Sequence, residues 1–103
     1  LSNEVFAVYA PTIIYVNNIF IMLYSAWTSE LEGNINSAIS KDGKNWKKSK
    51  KNIISLDKST PIVSEPFLFQ NNNLIYIFFE YKKENFWNIS YFNMQLELFL
   101  KII

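Results

Sequence analysis

The sequence predicts an all-β protein built of antiparallel sheets, and three observations carry that prediction. Half of its 103 residues are hydrophobic and 17% are aromatic, enough apolar surface to argue against a disordered chain. β-Branched and aromatic residues gather in runs of strand length, separated by asparagine clusters or an Asp-Gly pair. The pattern also repeats. Residues 10–26 read APTIIYVNNIFIMLYSA, and 55 positions later residues 65–81 read EPFLFQNNNLIYIFFEY. A chain of this length is normally one domain with a small core.

Residues 12–16 (TIIYV) form the first expected strand, Asn17-Asn18 a two-residue turn, and 19–26 (IFIMLYSA) the returning strand. A tight hairpin turn needs positive φ, which asparagine tolerates better than most residues with a side chain. Thirteen asparagines stand against two glycines, so asparagine is expected to do most of the turn work. A third strand follows at 34–40 (NINSAIS), then the Asp42-Gly43 turn and a short fourth strand beginning at Trp46. Residues 49–64 read as a connection that ends in an extended segment before Glu65.

The second unit keeps the order. Strands are expected at 67–70 (FLFQ), 74–81 (LIYIFFEY) and 87–92 (WNISYF), with turns at 71–73 and 82–86. In the tail, Leu96, Leu98, Leu100 and Ile102 alternate with Gln95, Glu97 and Lys101, Phe99 being the exception. That alternation predicts a half-buried fourth strand, with a helix as the alternative.

A unit of about 55 residues with four antiparallel strands has the period of a propeller blade. The other reading is two unrelated hairpins in an ordinary β-sandwich. The blade reading gives one partial domain over 1–103, with units at approximately 7–56 and 62–103. Propellers close with roughly four to eight blades, so two leave an incomplete ring. Its outermost faces are expected to be apolar and to favour self-association.

Composition removes several function classes. There is no Cys and no His, hence no disulfide, no thiol chemistry, no usual zinc site and no Ser-His-Asp triad. The net charge is +1, and all ten basic residues are Lys, which argues against nucleic-acid readout by arginine. The local run Lys44, Lys47, Lys48, Lys50 and Lys51 reads as a solvated edge. The longest apolar runs, 19–24 and 74–79, are far shorter than the roughly 20 residues of a membrane helix. No metal or cofactor site is legible, and none is expected.

Four segments resemble those of the five-bladed β-propeller glycosidases, the group of arabinanase, xylosidase, invertase and mannoside phosphorylase relatives. YAPTII at 9–14 is similar to that family's Ala-Pro-Asp segment, and 19–26 to its tyrosine-rich strand. AISKDGKNW at 38–46 is similar to its Ser-x-Asp-Gly-x-x-Trp turn, and SEPFLF at 64–69 to the Glu-Pro segment carrying its general acid. The resemblance implies a carbohydrate partner and a central site of three carboxylates. Glu65 matches the acid, whereas Thr12, with Glu80 a candidate substrate-binding residue, falls where an orienting Asp is expected, and the first-blade Asp has no counterpart.

Glycoside hydrolysis needs two carboxyl groups placed across the scissile bond. Glu65 supplies one, so the chain by itself is expected to be a poor hydrolase: a fragment or degenerate member that acts on or binds carbohydrate. The alternative is a non-catalytic carbohydrate-binding or assembly module. Glu80, at the end of an aromatic strand, is the candidate acidic neighbour of Glu65. Trp27 and Trp87 are candidate stacking platforms for sugar rings, against the commoner role of core tryptophans. Asp42 is read as a turn residue, bonding nearby backbone N–H groups.

Overall fold

The computed structural model describes residues 7–55, 60 and 62–103. Part of the expected connection, 56–59 and 61, lies outside them. Seven strands and one helix follow in order: β1 (Ala7–Val16), β2 (Ile19–Ser29), β3 (Glu32–Ser40), β4 (Lys47–Lys48), β5 (Ile62–Asn71), β6 (Leu74–Lys83), β7 (Phe86–Gln95) and α1 (Leu96–Ile102). Strands pair antiparallel in the order β1-β2-β3 and β5-β6-β7, with β4 beside β3. A single parallel bridge, Gly33 to Ile62, joins the two halves into one open sheet.

The hairpins form where the asparagines put them. Asn17 and Asn18 both take positive φ, 51° and 63°, as a two-residue turn of primed type requires. Asn72 does the same at 54° in the second unit. After β3 the chain runs along the free edge of that strand. Ala38 and Ile39 pair with β4, Ile35 bridges to Ile54, and Gly33 meets Ile62. From there β5 crosses the face of the first sheet, and the two sheets close on each other.

The main core is the space between them. Ile21, Leu23 and Ile35 of the first sheet pack with Val63, Leu68, Ile75, Ile77 and Phe79 of the second. The shortest dimension, 19 Å, suits two layers about 10 Å apart. These are two blades of a propeller, stacked face to face and not closed into a ring.

The tail differs from the strand expected over 95–102. It is the helix α1, and Phe99, the exception to the alternation, is its buried residue. Leu96, Phe99, Leu100 and Ile103 share one helical face and all pack into the inter-sheet core. Glu97 in the first turn and Lys101 in the last suit the helix dipole. The second unit therefore has three strands and a helix where the first has four strands.

Candidate functional site

The two Xaa-Pro segments fold alike. Pairing between β1 and β2 slips between Tyr9 and Thr12, and pairing between β5 and β6 slips between Ser64 and Phe67. In each case two residues, Ala10-Pro11 or Glu65-Pro66, bulge opposite a single partner residue. Ala10 and Glu65 both sit in the left-handed region, with φ of 55° and 51°. For a glutamate this conformation costs about 1 kcal/mol or more, and such outliers gather at functional sites. The bulge leaves the Glu65 side chain exposed while its neighbours Ser64 and Pro66 are buried.

A polar thread holds that bulge. The Glu65 backbone N–H donates to Ser25 Oγ at 2.7 Å, and Ser25 Oγ lies 3.2 Å from Ser64 Oγ. Ser64 Oγ in turn lies 2.7 Å from the Tyr9 hydroxyl. Thr12 Oγ1 accepts the Leu68 N–H at 3.1 Å, three residues beyond Glu65. Thr12 thus ties the first sheet to the second just behind the bulge. Tyr9, Ser25 and Ser64 were not legible as a group, although their repeat positions carried a signal: Tyr9 aligns with Ser64, and Ser25 with Glu80.

Glu80 lies opposite Ser64 on β6, and its carboxyl reaches hydrogen-bonding contact with the Glu65 carboxyl. Partial burial raises its affinity for a proton, and the Glu65 charge and the hydrogen bond between the two carboxyls raise it further. Glu80 therefore holds a proton more readily than an isolated glutamate does.

The tryptophans are separate. Trp27 packs flat on Gly33, where a Cβ would meet its indole at 2.9 Å, and its ring centroid lies 6.4 Å from that of Tyr9. Its indole N–H is buried without a partner. Trp87 is exposed on β7 opposite Lys82, diagonal to Glu80 on the same face of the sheet. Asp42 stands apart and caps its own turn. It accepts from the N–H groups of Lys44 and Asn45 at 2.8 Å, and these bonds hold its carboxyl well below the usual range. Among the described residues no group of three or more acidic, His or Cys side chains could hold a metal ion.

No family model matches the chain, and no curated protein matches it in sequence. Solved structures do match it in shape. A family 117 glycoside hydrolase from the marine bacterium Zobellia galactanivorans superposes with a TM-score of 0.73 at 15% identity. The match covers 89% of this chain and 36% of that one. A GH32 β-fructofuranosidase of Bombyx mori superposes with a TM-score of 0.74 at 13% identity, over 96% of this chain and 22% of that one. The fold it shares with these two proteins is that of β-propeller blades. The chain spans 36% and 22% of the lengths of these two proteins. At this level of identity the likeness is one of architecture, and it agrees with two stacked blades in an open arrangement.

Proposed function

We propose that the chain is a degenerate segment of a five-bladed, glycoside hydrolase-like propeller that binds carbohydrate, with Glu65 as the remnant general acid. The observation that carries this reading is the Glu65–Glu80 carboxyl pair, set on a strained bulge of a fold shared with glycoside hydrolases. Retaining enzymes hold their two carboxyl groups about 5–5.5 Å apart, and inverting enzymes about 6.5–9.5 Å apart, so that the sugar lies between them. A pair in hydrogen-bonding contact leaves no such space. It faces a ligand from one side, which favours binding over hydrolysis. Together the two carboxyl groups offer several acceptors to sugar hydroxyls.

Trp87 supports this reading as an exposed aromatic surface near Glu80, and Trp27 contributes as a half-buried wall beside Tyr9. Thr12 acts behind the site by fixing the Leu68 backbone. The test is titration of the purified chain with a panel of neutral oligosaccharides, followed by tryptophan fluorescence and calorimetry. At least one sugar should bind, Glu65→Gln should weaken it about tenfold or more, and aryl glycosides should not turn over. Absence of binding across the panel, or binding indifferent to Glu65→Gln, overturns the proposal.

A further inference from the structure

The outward face of the second sheet carries Phe67, Phe69, Tyr76, Phe78, Ile89 and Tyr91. Register puts them on one side, because Phe67 pairs with Phe78, Phe69 with Tyr76 and Phe78 with Tyr91. The rings of Phe78 and Tyr91 stack at 5.2 Å, and Tyr76 lies within 6.4 Å of both. Five of the six are exposed, from 37% at Phe78 to 76% at Ile89. A contiguous apolar face of this kind marks an interaction surface.

The internal repeat says what covers it. Shifted back by 54 or 55 positions, these six residues fall on Thr12, Ile14, Ile21, Leu23, Ile35 and Ser37. In the first sheet those positions face the second sheet. Ile21, Leu23 and Ile35 are fully buried there, and Thr12 bonds across to Leu68. The complement follows the same offset. Leu68, Ile75, Ile77 and Phe79, which fill the inter-sheet core, are equivalent to Ile13, Phe20, Met22 and Tyr24. Those four lie on the outward side of the first sheet, Ile13 being 49% exposed. The same side opens into an apolar groove of about 320 Å³ lined by Val8, Pro11, Met22, Tyr24, Ala38 and Trp46. One chain thus contains one completed joint and both uncompleted halves of the same joint.

We infer that this chain assembles head to tail, the outward aromatic face of the second sheet of one copy seating on the Ile13–Met22 side of the first sheet of another. The joint within the chain is its template. A head-to-tail contact between unlike faces generates a ring when its rotation closes. Glu80, at the position of Ser25 and opposite Ile89, lies on the same outward aromatic face.

Light scattering after size exclusion tests the inference on the full chain. A discrete oligomer is expected. Phe78→Lys with Tyr91→Lys breaks one face, and Ile13→Lys with Tyr15→Lys breaks the other. Each double variant alone should be a monomer with the wild-type circular dichroism spectrum. Mixed in equal amounts they should form a one-to-one dimer, because each such pair retains one unbroken joint. Phe69→Gln gives a milder lesion should a double variant lose its fold. Glu65→Gln should leave the mass unchanged, which separates failure of assembly from failure of the carbohydrate site. A wild-type monomer, an aggregate without defined stoichiometry, an oligomer sensitive to one face only, or a mixture that does not associate overturns the inference.

Discussion

At the scale of single residues, Glu80 links the sequence reading to a measurable quantity. Its carboxyl binds a proton more tightly in the folded chain than glutamate does at its ordinary value near 4.5, first through burial and then through Glu65. A group with a raised folded pKa stabilises the fold fully below its unfolded value, and that contribution is lost as pH rises through the folded value. Glu80→Gln resembles the protonated form at every pH, and its amide can still donate to Glu65. Melting temperatures of the wild type and this variant should therefore coincide near about pH 3, and the variant should melt higher by about pH 8. A gap independent of pH would show that the Glu80 carboxyl does not bind its proton more tightly in the folded chain. The sequence placed Glu80 beside Glu65 as a candidate. It could not place Tyr9, Ser25 and Ser64, because their contacts cross between units 39 to 55 residues apart.

At the scale of elements, the strands were legible because local chemistry and tertiary packing agree. Runs such as TIIYV and LIYIFFEY have β-branched or aromatic side chains on both faces, and both faces belong to a sheet that stacks. The tail was misread because its leucines satisfy two periods at once. Leu96, Leu98, Leu100 and Ile102 alternate, yet Leu96, Phe99, Leu100 and Ile103 fit a helix, and Leu, Glu and Lys are good helix formers. The deciding factor is the open end of the inter-sheet core, which a helix can plug and an added edge strand would not. Phe99, with no exposed surface, is that plug. Phe99→Ala should cost about 3–5 kcal/mol, a large share of the stability of so small a domain. Urea unfolding checks this, and a loss under about 1 kcal/mol would mean that the helix rests on the sheets without anchoring them.

At the scale of the whole molecule, the two blades are one cooperative unit although their sequences repeat. Each sheet has its own complete set of hairpins, but the largest core belongs to neither. Leu23 and Ile77 are buried by the opposite sheet, and α1 closes the same space from below. The polar thread from Tyr9 through Ser64 and Ser25 to the Glu65 backbone also crosses the joint, so separating the sheets would strand buried hydroxyls as well as apolar surface. A peptide of residues 62–103 would carry its own hairpin sequences but lose the surface against which Ile75, Ile77 and Phe79 are buried. Three strands with one dry face gone cannot offset a backbone entropy cost of about 1–2 kcal/mol per residue. Circular dichroism of that peptide should therefore show a disordered chain. The intact protein should unfold in one transition, with the same midpoint by tryptophan fluorescence, which reports Trp27 and Trp46 in the first unit and Trp87 in the second, and by far-ultraviolet dichroism. A folded 62–103 peptide, or two separated midpoints, would mean that the repeat is two domains rather than one stack.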